Sequence, residues 1–260
     1  MEKKNRFVVI STVYNKGKWV EYNVNSVKQQ NYGNWVALYG YDKSTDFTLQ
    51  YLEKATQDDV RTLVYHNPNP GCFLNCFMGT YNYYRNSGLI QDEDIIVEID
   101  GDDWLMHPFV FSYLNQVYQD ENIWMTYGQY VHYTDGSVGG HYYMHLDDEV
   151  DKYNAYRKTA FPYSHLKTFK AHLMNNITNE DLTDPTTGKY FNAAADFALS
   201  MPLVEQAGKS RIFRVPEPVY VYNNSSEVES ETNNRLDLQK QVEQRIRQIK
   251  PKQRLWTFQY

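Results

Sequence analysis

The sequence predicts an α/β protein: a mainly parallel sheet flanked by helices, followed by a smaller α+β portion. Three observations predict it. Short apolar, β-branched or aromatic runs recur at Phe7 to Ile10, Trp35 to Tyr41, Val60 to His66 and Ile95 to Ile99. Stretches with apolar residues at helical spacing separate them. Polar residues follow the runs at Ser11, Asp42 and Asp100, where strands of such a sheet deliver their ligand-binding loops.

The first run is apolar without alternation, as expected of a strand buried on both faces. Val20, Val24 and Val27 then stripe a helix, and Asn31 to Asn34 breaks it. After the Trp35 to Tyr41 strand, Thr45 or Asp46 can cap a helix bearing Phe47, Tyr51, Leu52 and Ala55. The third strand leads into the loop Asn67-Pro68-Asn69-Pro70-Gly71, and Phe73, Phe77, Tyr81 and Tyr84 stripe a helix that Gly88 ends. A helix with Phe109, Val110, Tyr113, Leu114 and Val117 follows the fourth strand. Beyond residue 120 the pattern changes. Thr134-Asp135-Gly136-Ser137 signals a hairpin between Ile123 to Tyr133 and His141 to Met144, and Asp147 to Lys158 reads as a polar, mobile segment suited to a lid. Phe169, Leu173 and Ile177 form a short helical stripe. Asp196 to Ala207 reads as a helix kinked or broken at Pro202 and stopped by Gly208. Short strands surround Pro216-Glu217-Pro218, and Leu238, Val242, Ile246 and Ile249 stripe a final helix.

The division predicted is residues 1–120 for ligand binding, 121–232 for the second side of the cleft, and 233–260 for a basic helix and tail. At 260 residues, 42% hydrophobic and 22% charged, the chain can bury a large core. A net charge of −6 gives no general attraction to nucleic acid or anionic membrane. Basic residues gather only from Arg235 to Arg254, where a solvated helix face or a peripheral membrane contact are the readings. Cys72 and Cys76 are four apart and read as reduced thiols, without a disulfide framework or zinc pattern. The apolar run near the start is too short for a signal peptide and no stretch reaches membrane-spanning length, so the protein is expected to be soluble and cytoplasmic. Twenty-four Tyr and five Trp supply faces that pack on sugars and bases, although core packing explains them as well.

The segment Asp94 to Pro108, D-I-I-V-E-I-D-G-D-D-W-L-M-H-P, gathers Asp100, Asp102 and Asp103 where a buried strand ends. Carboxylates held close oppose one another's ionisation, and a divalent cation with a phosphorylated ligand relieves this. A solvated acidic turn before a helix near Pro108 accounts for the same residues when the motif is taken alone.

The segments V-V-I-S-T-V-Y-N, Y-D-K-S-T-D, V-E-I-D-G-D-D-W-L-M-H-P and F-N-A-A-A-D-F-A-L-S-M-P-L-V-E-Q-A-G, in this order and spacing, resemble the family-2 glycosyltransferases of the GT-A fold. The resemblance covers roughly residues 6 to 223. It implies a Rossmann-like GT-A sheet with an acceptor-side α+β portion, and an inverting, metal-dependent transfer from a UDP-sugar to a hydroxyl acceptor. By position it implies that Thr12 and Asp42 hold the uracil or ribose end and that Asp100 and Asp102 hold ribose and cation. Asp102 and Asp103 would be ligands of Mn²⁺ or Mg²⁺, and Asp196 the general base, although Asp196 read alone is also a helix cap. His165, Lys167, Tyr163 and Trp124 fall where an acceptor glycan would be contacted.

The chain departs from the family pattern in places. Tyr41 stands where many relatives carry an Asp, and Ala195 precedes Asp196 where an acidic residue is frequent. No Arg or Lys opens the helix after Gly71, so one expected diphosphate contact lacks a donor. Asn223 and Asn224 stand where some relatives place a metal or phosphate ligand. Such departures leave a non-catalytic nucleotide- or sugar-binding module on a degenerate scaffold as the alternative. A nucleotidyltransferase would need a glycine-rich phosphate loop after the first strand, and Ser11 to Lys18 offers only Gly17.

Overall fold

The computed structural model describes residues 3–140, 147–225 and 236–255. Four strands, β1 (Phe7–Val13), β2 (Trp35–Tyr41), β3 (Thr62–His66) and β4 (Ile95–Asp100), alternate with helices α1 (Trp19–Lys28), α2 (Thr48–Thr56) and α3 (Phe73–Asn86). They pair in parallel in the order β3-β2-β1-β4. The first strand shows why they are buried on both sides. Val8 and Ile10 pack with Leu74, Phe77 and Tyr81 of α3, while Phe7, Val9 and Val13 pack with Val20, Val24 and Val27 of α1. Alternate residues of a strand point to opposite faces, so a run apolar at every position must be covered by helices twice.

After β4 the chain forms β5 (Trp104–Leu105), α4 (Val110–Val117), β6 (Met125–His132), β7 (Val138–Gly139) and α5 (Asp148–Lys152). Then come β8 (Lys167–Lys170), α6 (Asn179–Leu182), β9 (Thr183–Asp184), β10 (Lys189–Tyr190), α7 (Ala195–Ala207), β11 (Ile212–Tyr222) and α8 (Leu236–Gln248). The sheet continues across residue 120 in the order β4-β8-β6-β11-β5, with β7 paired to β6 and with β8 antiparallel to both of its neighbours. The small pair β9 and β10 lies apart.

Several expectations are corrected. Phe169 belongs to β8 rather than to a helical stripe, because Lys167 to Lys170 fill the gap between β4 and β6; only Ala171–Asn176 coil, as a 3-10 helix. The helix α7 runs through Pro202 without ending there. One strand, β11, spans Ile212 to Tyr222, and the prolines mark register shifts against β6 rather than a break. A proline is tolerated at such an irregularity because no ladder hydrogen bond is asked of it. The helix α2 begins after Phe47, and Asp46 Oδ1 accepts from the Thr48 amide at 3.0 Å. Part of the predicted hairpin, His141 to Met144, lies outside the described residues.

The segment from Asp147 to Lys158 is not a loose lid. Asp147 caps α5 by accepting from the Glu149 amide, Tyr156 is buried, and Arg157 makes a two-pronged bond to the fully buried Glu205 of α7 at 2.6 and 3.0 Å. The basic C-terminal stretch is likewise turned inward. Val242 and Ile246 bury α8 against the body, while Arg245 pairs with Asp184, Lys252 with Asp181 and Arg254 with Asp151. Arg247 pairs with Glu243 and donates to the carbonyls of Arg157 and Thr159. These ion pairs and bonds tie the last helix and the segment after it to the body, while Lys240 and Lys250 stay exposed. Among the described residues no helix is long and apolar enough to cross one.

Candidate active site

Parallel register brings the site together. Thr12 lies beside Gly40 of β2 and Asp100 of β4, so one row across three strands ends at the same edge. There the chain leaves β4 through Gly101, where a Cβ atom would stand 2.5 Å from the Thr12 carbonyl oxygen. Only glycine allows that approach, and it is what presses the acidic turn onto β1. From α1 the buried Asn23 donates to the carbonyls of Asp100 and Asp103 at 2.8 and 2.9 Å, fixing the turn from behind.

A cleft of about 600 Å³ opens over this edge, lined by Thr12, Asp42, Asp100, Asp102 and Asp103 together with Lys16, Lys43, Asn192 and the start of α3. The predicted carboxylates are used differently. Asp42 is buried, and its two oxygens accept from Asn67 Nδ2 at 2.9 Å and the Gly71 amide at 3.0 Å, which anchors the proline-rich loop beside the cleft. Asp102 Oδ2 receives the Lys16 ammonium at 2.9 Å. Asp103 turns to β11: Oδ1 accepts from the Asn223 amide at 2.7 Å and Oδ2 from the Tyr220 hydroxyl at 2.8 Å. The Asp100 side chain remains 35% exposed, opening into the cleft, with His165 Nε2 at 4.0 Å.

Crowding shows in the proton affinities. Burial, then the charges of Asp102 and Asp100, push the Asp103 carboxyl well above the usual range, against the bonds from Asn223 and Tyr220. Burial also raises Asp100, while Lys167 and Lys16 pull it back. Burial works against the Lys16 ammonium, but Asp102, Asp100 and Asp103 outweigh it and keep Lys16 protonated.

Asp196 lies in the first turn of α7, exposed and outside the lining of the cleft. It does not cap that helix; the cap position is Ala194, whose φ of 48° turns the chain into α7. A non-glycine residue held there costs about 1–3 kcal/mol and persists because its surroundings fix it. The charge of Asp196 acts on Asp100, His165 and Lys167, which sets it on the same side of the molecule as the acidic turn.

The predicted acceptor contacts change. Tyr163, Trp124 and Lys167 are all buried, and Lys167 Nζ lies 3.0 Å from Glu98 beneath the site, so none presents a surface to a glycan. His165 stacks on the Tyr220 ring at 4.8 Å and remains at the cleft's edge through Asp100. Sequence reasoning missed Lys16, Glu98 and Tyr220. The signal for Lys16 was available, since it lies three residues past the end of β1, but helix entry there is usually solvated.

The family model for glycosyl transferase family 2 matches residues 8–182. The chain belongs to that family. No curated protein matches it. Among solved structures it is similar to S. aureus TarS 1-349 in complex with UDP-GlcNAc, at a TM-score of 0.61 and 16% identity over 85% of this chain and 59% of that one. It is also similar to the mannosyltransferase PcManGT from Pyrobaculum calidifontis in complex with GDP-Man and Mn²⁺, at 0.63 and 16% identity over 96% and 66%. A third is glucosyl-3-phosphoglycerate synthase from Mycobacterium tuberculosis in complex with Mn²⁺, UDP and glucosyl-3-phosphoglycerate, at 0.57 and 14% identity over 92% and 80%. The family-2 chain described here thus spans about 59% of that TarS chain and 38% of the longer TarS. These likenesses fix the GT-A fold.

Among the described residues no three His, Cys, Asp or Glu side chains converge on a ready-made metal cage. The donor set nevertheless fits a hard cation bound with substrate oxygens. Asp102 already faces one positive charge, that of Lys16, and Asp100 opens beside it.

Proposed function

We propose that this family-2 chain is an inverting glycosyltransferase that moves a sugar from a UDP-sugar to a hydroxyl of a glycan or similar acceptor with a divalent ion. The observation that carries this reading is the meeting of Thr12, Asp42, Asp100 and Asp102 in one cleft at the carboxyl ends of β1, β2 and β4. Open parallel sheets bind nucleotides at that edge. The family-2 match and the nucleotide-sugars held by structures of the same fold support it.

Each residue then has a task. Asp42, fixed by Asn67 and Gly71, keeps lone pairs for the N–H of a uracil ring, with Thr12 beside it. Asp100 accepts from ribose hydroxyls, and Asp102 holds Mn²⁺ or Mg²⁺. When bound, the ion neutralises charge developing on the departing diphosphate. Asp103, already committed to Tyr220 and Asn223, positions the turn and is the lesser ligand of the two. Asp196 takes the proton of the acceptor hydroxyl as its oxygen attacks the anomeric carbon. A single displacement from the face opposite the diphosphate inverts the configuration.

Calorimetric titration of UDP with Mn²⁺ or with EDTA, repeated with GDP and with Asp102→Ala, tests the donor reading. Metal-dependent UDP binding that disappears in the variant is expected. Failure of both nucleotides to bind under every condition overturns it. Asp196→Asn is expected to keep that binding and lose transfer; full turnover in this variant overturns the base.

A further inference from the structure

We propose that the Lys16 ammonium is a tethered counter-ion on Asp102 that gives up this carboxylate to a divalent ion when a nucleotide diphosphate draws it away, so that metal and nucleotide bind as a linked pair. The inference rests on the donor reading above and deepens it.

The geometry around Lys16 is built rather than incidental. Asn15 and Gly17 on either side of it both have left-handed backbones, with φ of 49° and 50°, which turns the peptide between them toward the cleft. The amides of Lys16 and Gly17 both donate to Thr48 Oγ1, at 2.8 and 2.7 Å, and Thr48 is itself fully buried. The Asn15 amide donates to Ser44 Oγ at 3.0 Å, and Asn15 Oδ1 accepts from the Thr45 amide at 2.8 Å. The backbone is therefore fixed, whereas the four-carbon lysine stem leaves the ammonium free to swing. At present it sits 2.9 Å from Asp102 Oδ2, with the Asp102 side chain only 7% exposed.

A divalent ion on Asp102 would meet the Lys16 charge on the same carboxylate, and two cations held by one carboxylate repel. Metal alone must therefore compete with the ammonium, which is left with only the weaker attraction of Asp100 and Asp103. A diphosphate supplies a new partner. The start of α3 carries Cys72, Phe73, Leu74 and Asn75 and so brings no cation to the cleft, whose lining cations among the described residues are Lys16 and Lys43. Moving from Asp102 to a phosphate oxygen, Lys16 satisfies the diphosphate and vacates the carboxylate in one step. By linkage, each ligand then tightens the other by the same factor.

The test is calorimetry on wild type, Lys16→Met and Lys16→Gln with Mn²⁺ alone, UDP alone in EDTA, and Mn²⁺ at saturating UDP, with circular dichroism to confirm folding. In wild type, UDP is expected to tighten Mn²⁺ by about tenfold or more. In the neutral variants Mn²⁺ alone should bind about tenfold tighter than in wild type, UDP in EDTA more weakly, and the coupling should fall by about the factor that Mn²⁺ alone has gained, leaving the share that direct contact between ion and diphosphate supplies. Absence of coupling in wild type overturns the inference whether or not a variant folds. Equal Mn²⁺ affinity and equal coupling in wild type and variants overturn it while leaving the donor reading intact. No nucleotide binding by wild type overturns both.

Discussion

The hydroxyl of Tyr220 donates to Asp103 Oδ2 at 2.8 Å and on its other side accepts from the Asp100 amide at 3.1 Å. One oxygen from β11 thus clasps both ends of a turn 117 to 120 residues earlier in the chain. Its surroundings exclude water, so nothing replaces it when it is removed. Tyr220→Phe orphans a buried carboxylate bond and an amide, which costs roughly 1–3 kcal/mol. Urea denaturation should show that loss, and UDP affinity should fall with it because Asp100 and Asp102 are no longer held. An unchanged midpoint would mean that Asn23 and the Asn223 amide hold the turn without it.

Beneath the turn, Lys167 of β8 and Glu98 of β4 form an ion pair at 3.0 Å with both side chains almost fully buried. Burial pushes the Glu98 carboxyl up, to about 7, in spite of Lys167. The Lys167 ammonium, opposed by burial, is held protonated by Glu98, Asp196 and Asp100. Removing one partner leaves the other buried without its counter-charge. Lys167→Met should therefore destabilise by about 3–5 kcal/mol, and the pair Lys167→Met with Glu98→Gln should recover part of it. Denaturant titration of Lys167→Met, Glu98→Gln and the double variant gives the coupling; Lys167→Met within about 0.5 kcal/mol of wild type would contradict the arrangement.

His172, just after β8, is buried with its ring edge-on to Trp124 at 4.8 Å. Burial, with help from Lys170 and Arg211 and against Asp92, lowers its pKa to about 4. The unfolded chain binds this proton near the ordinary value of 6.5, so below that pH it takes up a proton the folded chain refuses. Stability is complete above pH 6.5 and falls as pH drops toward 4, by on the order of 2 kcal/mol for this group. His172→Gln should flatten the stability profile across that window. An unaltered slope would assign the acid sensitivity to other groups.

The strand and helix alternation up to β4 was legible because each strand carries a short run rich in β-branched and aromatic residues and each helix has one apolar stripe. Periodicity reports burial, and here burial is set by neighbours close in sequence. The same reasoning failed at Phe169, Leu173 and Ile177. Their spacing suits a helix, but Lys167 to Lys170 are drawn into extended form by β4 and β6, which lie on both sides of the gap they fill. Asp147 to Lys158 looked solvated because its charges were visible and their partners were not. Arg157 meets Glu205, and Arg254 meets Asp151, across 48 and 103 residues.

By itself the sequence determined the α/β class, the family, and the set Thr12, Asp42, Asp100 and Asp102 at strand ends. Such positions follow from local pattern and from the direction of parallel strands. What tertiary structure alone decided is the division of labour among those carboxylates. Asp103 is occupied by Tyr220 and Asn223, Asp42 by Asn67 and Gly71, and Asp102 by Lys16. A carboxylate's role depends on which donors and charges come within about 3 Å of it. For these residues the donors arrive from other strands and loops, at sequence distances that no local pattern encodes.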